Sequence, residues 1–200
     1  LDSMKTDTPK GPSPAFTPAH IVKALLVIER EQAIGRIVLS RELGIGEGST
    51  RTVIKKLVER GLISVDSVGG CHLTDRGRVA VGALRKIIVA NDYVDLAEVG
   101  ISSPAYALQL RADPSSVPII KLRDTAVKYG ADGMMILTLK GGRLSMPMMD
   151  VDASEAYPGL MSALASRFRL REGDLLLIGF SESKDGAELG ALSAALLIVS

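Results

Sequence analysis

The stretch from Ile34 to Thr74, IGRIVLSRELGIGEGSTRTVIKKLVERGLISVDSVGGCHLT, constrains this chain more than any other, because its punctuation fixes two short helices followed by a hairpin. Val38 and Leu39 lead into Ser40-Arg41-Glu42-Leu43, a short helix with Ser40 or a neighbour as its cap, and Gly44 supplies the left-handed residue that ends it. Ile45 is the apolar residue of the turn, and the next helix begins near Gly48-Ser49, where Ser49 can accept from the first free amides. Thr50, Val53, Ile54, Leu57 and Val58 recur at three- and four-residue intervals and form a buried stripe, which leaves Ser49, Arg51, Thr52, Lys55 and Lys56 facing outward. Gly61 closes that helix, Leu62 to Val65 alternates as a strand, Gly69-Gly70 suits a two-residue turn, and Cys71-His72-Leu73 returns. Thr74 caps a further helix, whose apolar residues Val79, Ala83, Leu84, Ile87 and Ile88 keep helical spacing to about Ala90.

These residues, with "ERGLI" before the hairpin and "LTDRGR" after it, resemble the winged helix-turn-helix of transcription regulators over roughly residues 19–90. The resemblance implies contact with double-stranded DNA. The second helix would enter the major groove through Ser49, Arg51, Thr52, Lys55 and Lys56, with Arg60 near its end, while the Gly69-Gly70 wing lies along the backbone or minor groove. Modules of this shape also dock proteins or append to enzymes, so the fold alone does not fix the function.

Charge favours phosphate contact in the front half. Residues 19–90 carry 12 Lys+Arg against 7 Asp+Glu, a net of +5, and residues 91–200 carry 10 against 14, a net of −4, so the total of +1 conceals a polarity. Arg51, Lys55, Lys56 and Arg60, on or near one helix, would displace counterions from a duplex, although a solvated helix face carries such residues too.

Apolar residues make up 46% of the chain, but aromatics only 4% with no Trp, so the cores rest on aliphatic side chains and Met, and base stacking on aromatic platforms is a poor fit. No apolar run approaches the ~18 residues a membrane span needs, and no charged-then-apolar leader opens the sequence. A cytoplasmic protein is expected. Cys71 is the sole cysteine, so no internal disulfide forms.

Three segments follow from composition: a Pro-rich extended or disordered lead-in over 1–18, the DNA-binding unit over 19–90, and a ligand-sensing or dimerisation unit over 91–200. The first helix runs from about Ala19 to Gln32. In the last segment, residues 93–99 and 104–111 read as short strands with Pro104 at an edge or start, Asp113-Pro114-Ser115-Ser116 as a turn, and Val117–Tyr129 as a helix. Met134–Lys140 and Leu144–Met149 form a hairpin about Gly141-Gly142, Ala153–Phe168 is a helix, and Leu175–Phe180 is apolar on both faces, as a central strand is. The closing helix, about Gly186–Val199, is apolar almost all round and is either buried or shared with a second subunit. The expected class is α+β, with a mostly antiparallel sheet and packed helices behind the N-terminal unit.

That order, with Pro118-Ile119-Ile120-Lys121-Leu122-Arg123-Asp124, Gly130-Ala131-Asp132-Gly133, Gly142-Arg143-Leu144 with Pro147, and Gly173-Asp174-Leu175 through Gly190-Ala191-Leu192, resembles an uncharacterised archaeal family in which a winged helix precedes a domain of unknown function. The resemblance implies a fold and a regulator, and no established activity.

Catalytic constellations are poorly represented. His20 and His72 both lie outside the back half, so a His general base or a Ser-His-Asp relay there is excluded, and with Cys71 they give no zinc or iron set. Asp150 and Asp152 offer oxygen ligands only, and adjacent loop acids are usually solvated. Gly44-Ile45-Gly46-Glu47-Gly48-Ser49-Thr50 has the composition of a phosphate loop but lacks its Lys and its preceding strand. No cofactor or metal is expected. For ligand contact, Ser183, Lys184 and Gly186 stand where a strand feeds a helix N-terminus, against the plainer reading of a connection capped by Ser183 or Asp185. Arg123 and Asp124 precede a Gly-rich turn and either line a pocket or pair on the surface, while Met134, Met135, Met146, Met148 and Met149 form either a core or an adaptable pocket wall.

The sequence therefore points to a DNA-binding regulator, a non-enzyme and a homodimer, with a small-molecule effector as a further partner and no membrane association. The alternatives are a nucleotide-using enzyme with a winged-helix appendage, or a protein-docking module.

Overall fold

The structure, a computed structural model, describes residues 16–112, 118–147 and 151–199. The lead-in up to residue 15, the turn expected at Asp113–Ser116, and Val117, Met148, Met149 and Asp150 lie outside the described residues.

Helix α1 (Pro18–Glu31) opens on Pro18, whose missing N–H is harmless in a first turn. Pro18 thus belongs to the helix and not to the lead-in. Ala19, Val22 and the run Ala24–Ile28 are buried, and so is Lys23, so α1 is enclosed on most of its circumference. Helix α2 (Arg36–Leu43) starts a turn earlier than Ser40 suggested, from Gly35. Ser40 is no cap; its buried hydroxyl donates to the Ile45 carbonyl at 2.6 Å and so ties the turn that follows. Gly44 adopts the expected left-handed conformation, φ 67°, and its amide donates to the Arg41 carbonyl. Helix α3 (Glu47–Glu59) likewise begins early, capped at Gly46, which moves Ser49 from cap into the first turn. Thr50, Val53 and Leu57 are buried as expected, but Ile54 is half-buried and Val58 exposed, so the stripe is narrower than its spacing suggested.

Strands β1 (Ile34–Gly35), β2 (Ile63–Val65) and β3 (Gly70–Leu73) form an antiparallel sheet in the order β1-β3-β2. The Thr74 hydroxyl accepts from the Gly77 amide at 3.0 Å and starts α4 (Asp75–Ile87). Helical spacing there overreaches: Val79 is exposed, and the chain leaves the helix at Ile87 to begin β4 (Ile88–Leu96) with no residue between. The β-branched run Ile87-Ile88-Val89 prefers a pleated strand once a partner is available. That partner is β5 (Ile101–Leu110), joined to β4 by a single 3-10 turn over Ala97–Val99. Strand β4 therefore covers the 90/91 position where composition placed a boundary, and the 97–99 end of the strand expected over 93–99 is the turn. Pro104 falls inside β5, close to a register shift between Val94 and Leu96 of β4.

Helix α5 (Ile119–Lys128) leads to β6 (Gly133–Lys140), which turns through Gly141-Gly142 into β7 (Arg143–Met146) and then β8 (Val151–Asp152). The helix expected over 153–168 is broken into α6 (Ala153–Ala156) and α7 (Pro158–Arg167), because Pro158 has no donor and drives Tyr157 out of helical geometry, φ −139°, ψ 67°. Strand β9 (Leu175–Phe180) is central, as its unbroken apolar run suggested, and α8 (Lys184–Val199) closes the chain. The six strands run β4-β5-β9-β6-β7-β8, every neighbouring pair antiparallel, and the class is α+β.

Alternation sorts the sheet's two faces. Tyr106, Leu108, Met134, Ile136, Leu175 and Leu177 pack toward α5 and α8, while Ala105, Ala107, Leu137, Leu176 and Ile178 pack toward α6 and α7. The first face continues without interruption into the core around Leu39, Leu43 and Leu57. Helix α8 is buried inside this core, and its small residues permit close approach: a Cβ on Gly190 would stand 2.6 Å from the Ala131 Cβ and 2.9 Å from the Ala126 carbonyl oxygen.

Candidate nucleic-acid interface and ligand pocket

The outward face of α3 carries Arg51, Thr52 and Lys55, all exposed, with Ser49 and Lys56 half-buried beside them. The stripe Thr50-Val53-Leu57 anchors the helix on the opposite side, so these side chains point outward because of the helical period. Thr52 donates to the Gly48 carbonyl at 3.2 Å, and Lys55 lies 3.8 Å from Glu59, a loose pair between solvated groups. Lys56 lies over the Phe16 ring at 6.0 Å, and Arg60 reaches back to the Lys56 carbonyl at 3.4 Å. Lys56 and Arg60 are therefore less free to reorient than Arg51 and Lys55.

The hairpin tip is built differently from the helix face. Asp66 accepts from the amides of Val68 (2.9 Å) and Gly70 (2.8 Å), and the His72 ring nitrogen Nε2 sits 2.7 Å from its other oxygen. His72 and the Gly70 amide hold the Asp66 carboxyl below its usual range. The tip, Val65 to Gly70, contains no cation, and Asp66 consumes two of its amides, leaving little to attract a phosphate. Gly69 is left-handed, φ 87°, but the turn is not the two-residue Gly69-Gly70 one expected: the loop runs from Asp66 to Gly69, and Gly70 already belongs to β3, where it pairs with Gly35. Between this tip and α2 runs an apolar groove lined by Ile37, Val38, Val65 and Val68, with Arg51 at its border. Val68 is 91% exposed. Cys71 is buried at the groove's base, and burial pushes its thiol pKa up, so it is not an activated thiol.

The five ligand-contact candidates do not converge. The Ser183 hydroxyl accepts from the Gly186 amide at 3.0 Å, which makes Ser183 the cap of α8, and Gly186 packs against Gly130 so closely that no Cβ would fit. Lys184 lies over the Tyr93 ring at 5.4 Å, and Asp124 is exposed on α5. Of the five, Arg123 lines a cavity. Its Nε donates to the Met134 carbonyl at 3.2 Å, and it borders a pocket of about 260 Å³ with Ile101, Met135, Met146, Tyr157 and Phe180. Met134, Met135 and Met146 share that wall, so the methionine cluster contributes to core and pocket together.

Sequence reasoning missed a buried polar junction. Lys23 on α1, with its side chain 4% exposed, lies 2.9 Å from Glu188 and 3.2 Å from Asp185, both on α8. Tyr93 donates to Glu188 at 3.3 Å, Arg85 binds Glu29 and Asn91, and Asn91 donates to the Tyr106 hydroxyl at 2.7 Å. Burial first, and the Glu188 charge second, push both tyrosine pKa values up, so these hydroxyls stay protonated. A signal existed: Lys23 is the one lysine or arginine within the apolar run from Ala19 to Ile28. Among the described residues, no group of three His, Cys, Asp or Glu is placed to hold a metal, and no helix is long and apolar enough to cross a membrane.

Residues 101–198 match the family model described as a domain of unknown function, DUF4443. The hypothetical protein PH0730 from Pyrococcus horikoshii OT3 is similar in structure over 92% of each chain, with 27% identity and a TM-score of 0.76. That archaeal protein extends the likeness across both parts of the chain. HmgR from Pseudomonas aeruginosa aligns over 90% of this chain and 95% of its own at 12% identity, but a TM-score of 0.29 carries no argument about fold or function. None of the curated proteins matches the chain.

Proposed function

We propose that the chain is a transcription regulator that binds double-stranded DNA through a winged helix-turn-helix formed by α1 to α3 and the β2-β3 hairpin, with a C-terminal unit for sensing and dimerisation. The observation that carries this reading is the face of α3, where Arg51, Thr52 and Lys55 stand exposed on the second helix of the pair while Thr50, Val53 and Leu57 hold it down. A helix so mounted can lie in a major groove, with Arg51 aimed at a base edge and Lys55, Lys56 and Arg60 at phosphates. Ser49, at the helix start, is placed for the backbone, and the Gly69-Gly70 tip, lacking a cation, would contribute van der Waals contact and not charge. The net +5 over residues 19–90 supplies a favourable field. A homodimer follows from the short half-site that one such helix can read.

Fluorescence anisotropy with a random-sequence duplex at two salt concentrations tests the proposal. Each lost phosphate contact should reduce the salt slope by about 0.9, so Arg51→Ala with Lys55→Ala should flatten it and weaken binding. Unchanged duplex binding in that variant would remove α3 from the interface. The apolar groove of Ile37, Val38, Val65 and Val68 favours a second reading, docking of a protein partner on the same side. Absence of duplex binding even at low salt would select it.

A further inference from the structure

Strand β6 is paired with β9 on one side from Gly133 to Thr138, but with β7 on the other side only from Thr138 to Lys140. The pairing register of Thr138 with Ser145 places Pro147 opposite Ile136, and Pro147 has no N–H to offer. Among the described residues no strand continues the ladder on that side of β6 from Gly133 to Leu137. Backbone groups alternate sides along a strand, so Met134 and Ile136 direct theirs to that edge, as Thr138 does toward β7. Arg123 Nε already takes the Met134 carbonyl at 3.2 Å. The pocket of about 260 Å³ wraps this edge, with walls from both faces of the sheet: Ile119 and Ile136 from one, Met135, Met146 and Phe180 from the other.

Arg123 is the sole charged residue among the described residues that line it. Among the described residues nothing accepts from its Nη1 or Nη2, and no carboxylate pairs with it. A guanidinium beside apolar walls selects a planar anion that brings its own apolar body, because a carboxylate takes two parallel N–H donors from the fork. Size narrows the choice further. An apolar cavity of about 150 Å³ accepts a benzene, so one of about 260 Å³ accepts a molecule of roughly ten non-hydrogen atoms. That volume lies just below the usual range of ligand pockets, which run from roughly 300 Å³ upward.

On the footing of the regulator reading above, we propose that this edge pocket is the effector site, and that it binds a medium-chain or similarly compact apolar monocarboxylate. Its carboxylate pairs with Nη1 and Nη2 of Arg123, its tail lies along Ile101, Met135, Met146 and Phe180, and the Tyr157 ring closes one side.

Isothermal titration of the full chain without DNA tests the site separately from the DNA reading, with octanoate as the probe and octanol as its uncharged control. Saturable octanoate binding, at least about tenfold tighter than octanol, is expected from a charge-assisted pair. Arg123→Met should bring octanoate down to the octanol level while leaving octanol within about twofold, and Met146→Trp, which fills the pocket, should abolish both. Thermal unfolding checks that each variant is folded. Octanoate binding no tighter than octanol, or unaffected by Arg123→Met in a folded protein, overturns the assignment, and so does the absence of saturable binding to the wild-type chain. Duplex binding has no bearing on these outcomes. A chain that binds octanoate but no duplex keeps this site and loses the regulator, whereas the reverse keeps the regulator and loses this site.

Discussion

Replacing Lys23 by Met removes the cation from the junction between α1 and α8 and keeps nearly the same volume. Glu188 is left with its side chain 13% exposed and, among the described residues, only the Tyr93 hydroxyl, 3.3 Å away, to hold its charge. Removing one member of a buried pair costs about 3–5 kcal/mol, and the lower end applies here because the second carboxylate, Asp185, is 49% exposed and returns to water cheaply. We therefore expect Lys23→Met to lose about 3 kcal/mol, out of a typical total of about 5–15 kcal/mol, and to lower Tm by about 6–12 °C at this chain length. Glu188→Leu should lose about 2 kcal/mol, since Lys23 retains Asp185. The double variant replaces the pair by apolar groups and should recover to within about 1 kcal/mol of wild type, giving a coupling of at least about 4 kcal/mol. Urea titration with unchanged m values measures all four corners of the cycle. Additive losses would refute the reasoning, because they would show that neither charge depends on the other.

His20 accepts the Thr17 amide on Nδ1 at 3.0 Å, and burial first, with the Lys23 charge second, lowers its pKa below 6.5. The unfolded chain therefore binds the proton more readily, so stability is fully present above pH 6.5 and falls as the pH drops below it, and His20→Gln should flatten that dependence in pH-stepped urea titrations. Gly190→Val should destabilise by about 2 kcal/mol or more, because its side chain enters the space held by Ala131 and the Ala126 carbonyl, and thermal unfolding would register a drop. Leu57→Ala should lose about 2–5 kcal/mol from the core beneath α3; a folded variant with normal duplex affinity at low temperature would separate stability from contact. Cys71 should resist iodoacetamide in the native state and react on addition of urea, since it is buried and its thiol pKa is raised; equal rates in both states would contradict that burial.

The locally encoded features were legible before any coordinates. Gly44, Gly61, Thr74 and the Gly141-Gly142 turn act through their own backbone or the next three residues, and the apolar run at Leu175–Phe180 announced its central place. The outward set on α3 followed from the period of Thr50, Val53 and Leu57. What escaped depends on partners distant in sequence. Ile88 kept a helical interval but meets Leu110 of β5, Lys23 finds Glu188 across the fold, and Arg123 reaches the Met134 carbonyl on β6. At the start of α8 the Gly186 amide, one of those expected to be free for a ligand, is taken by the Ser183 hydroxyl.

The direct passage from α4 to β4 sets a limit on how this molecule can transmit a signal. Ile87 ends the helix, Ile88 begins the strand, and the Ile87 carbonyl is held by the Arg111 amide at 2.9 Å, from the far end of the neighbouring strand. A pivot needs residues whose torsions can change without breaking paired bonds, and beside this joint the register with β5 slips between Ile88 and Ala90, which leaves Val89 bulged out of the ladder. Helix and strand are thus tied at Ile87 and loosened two residues later, so a molecule settling against β6 would reach α3 within its own subunit through that bulge. Its influence would travel there as a change of strand twist, which a bulge sharpens.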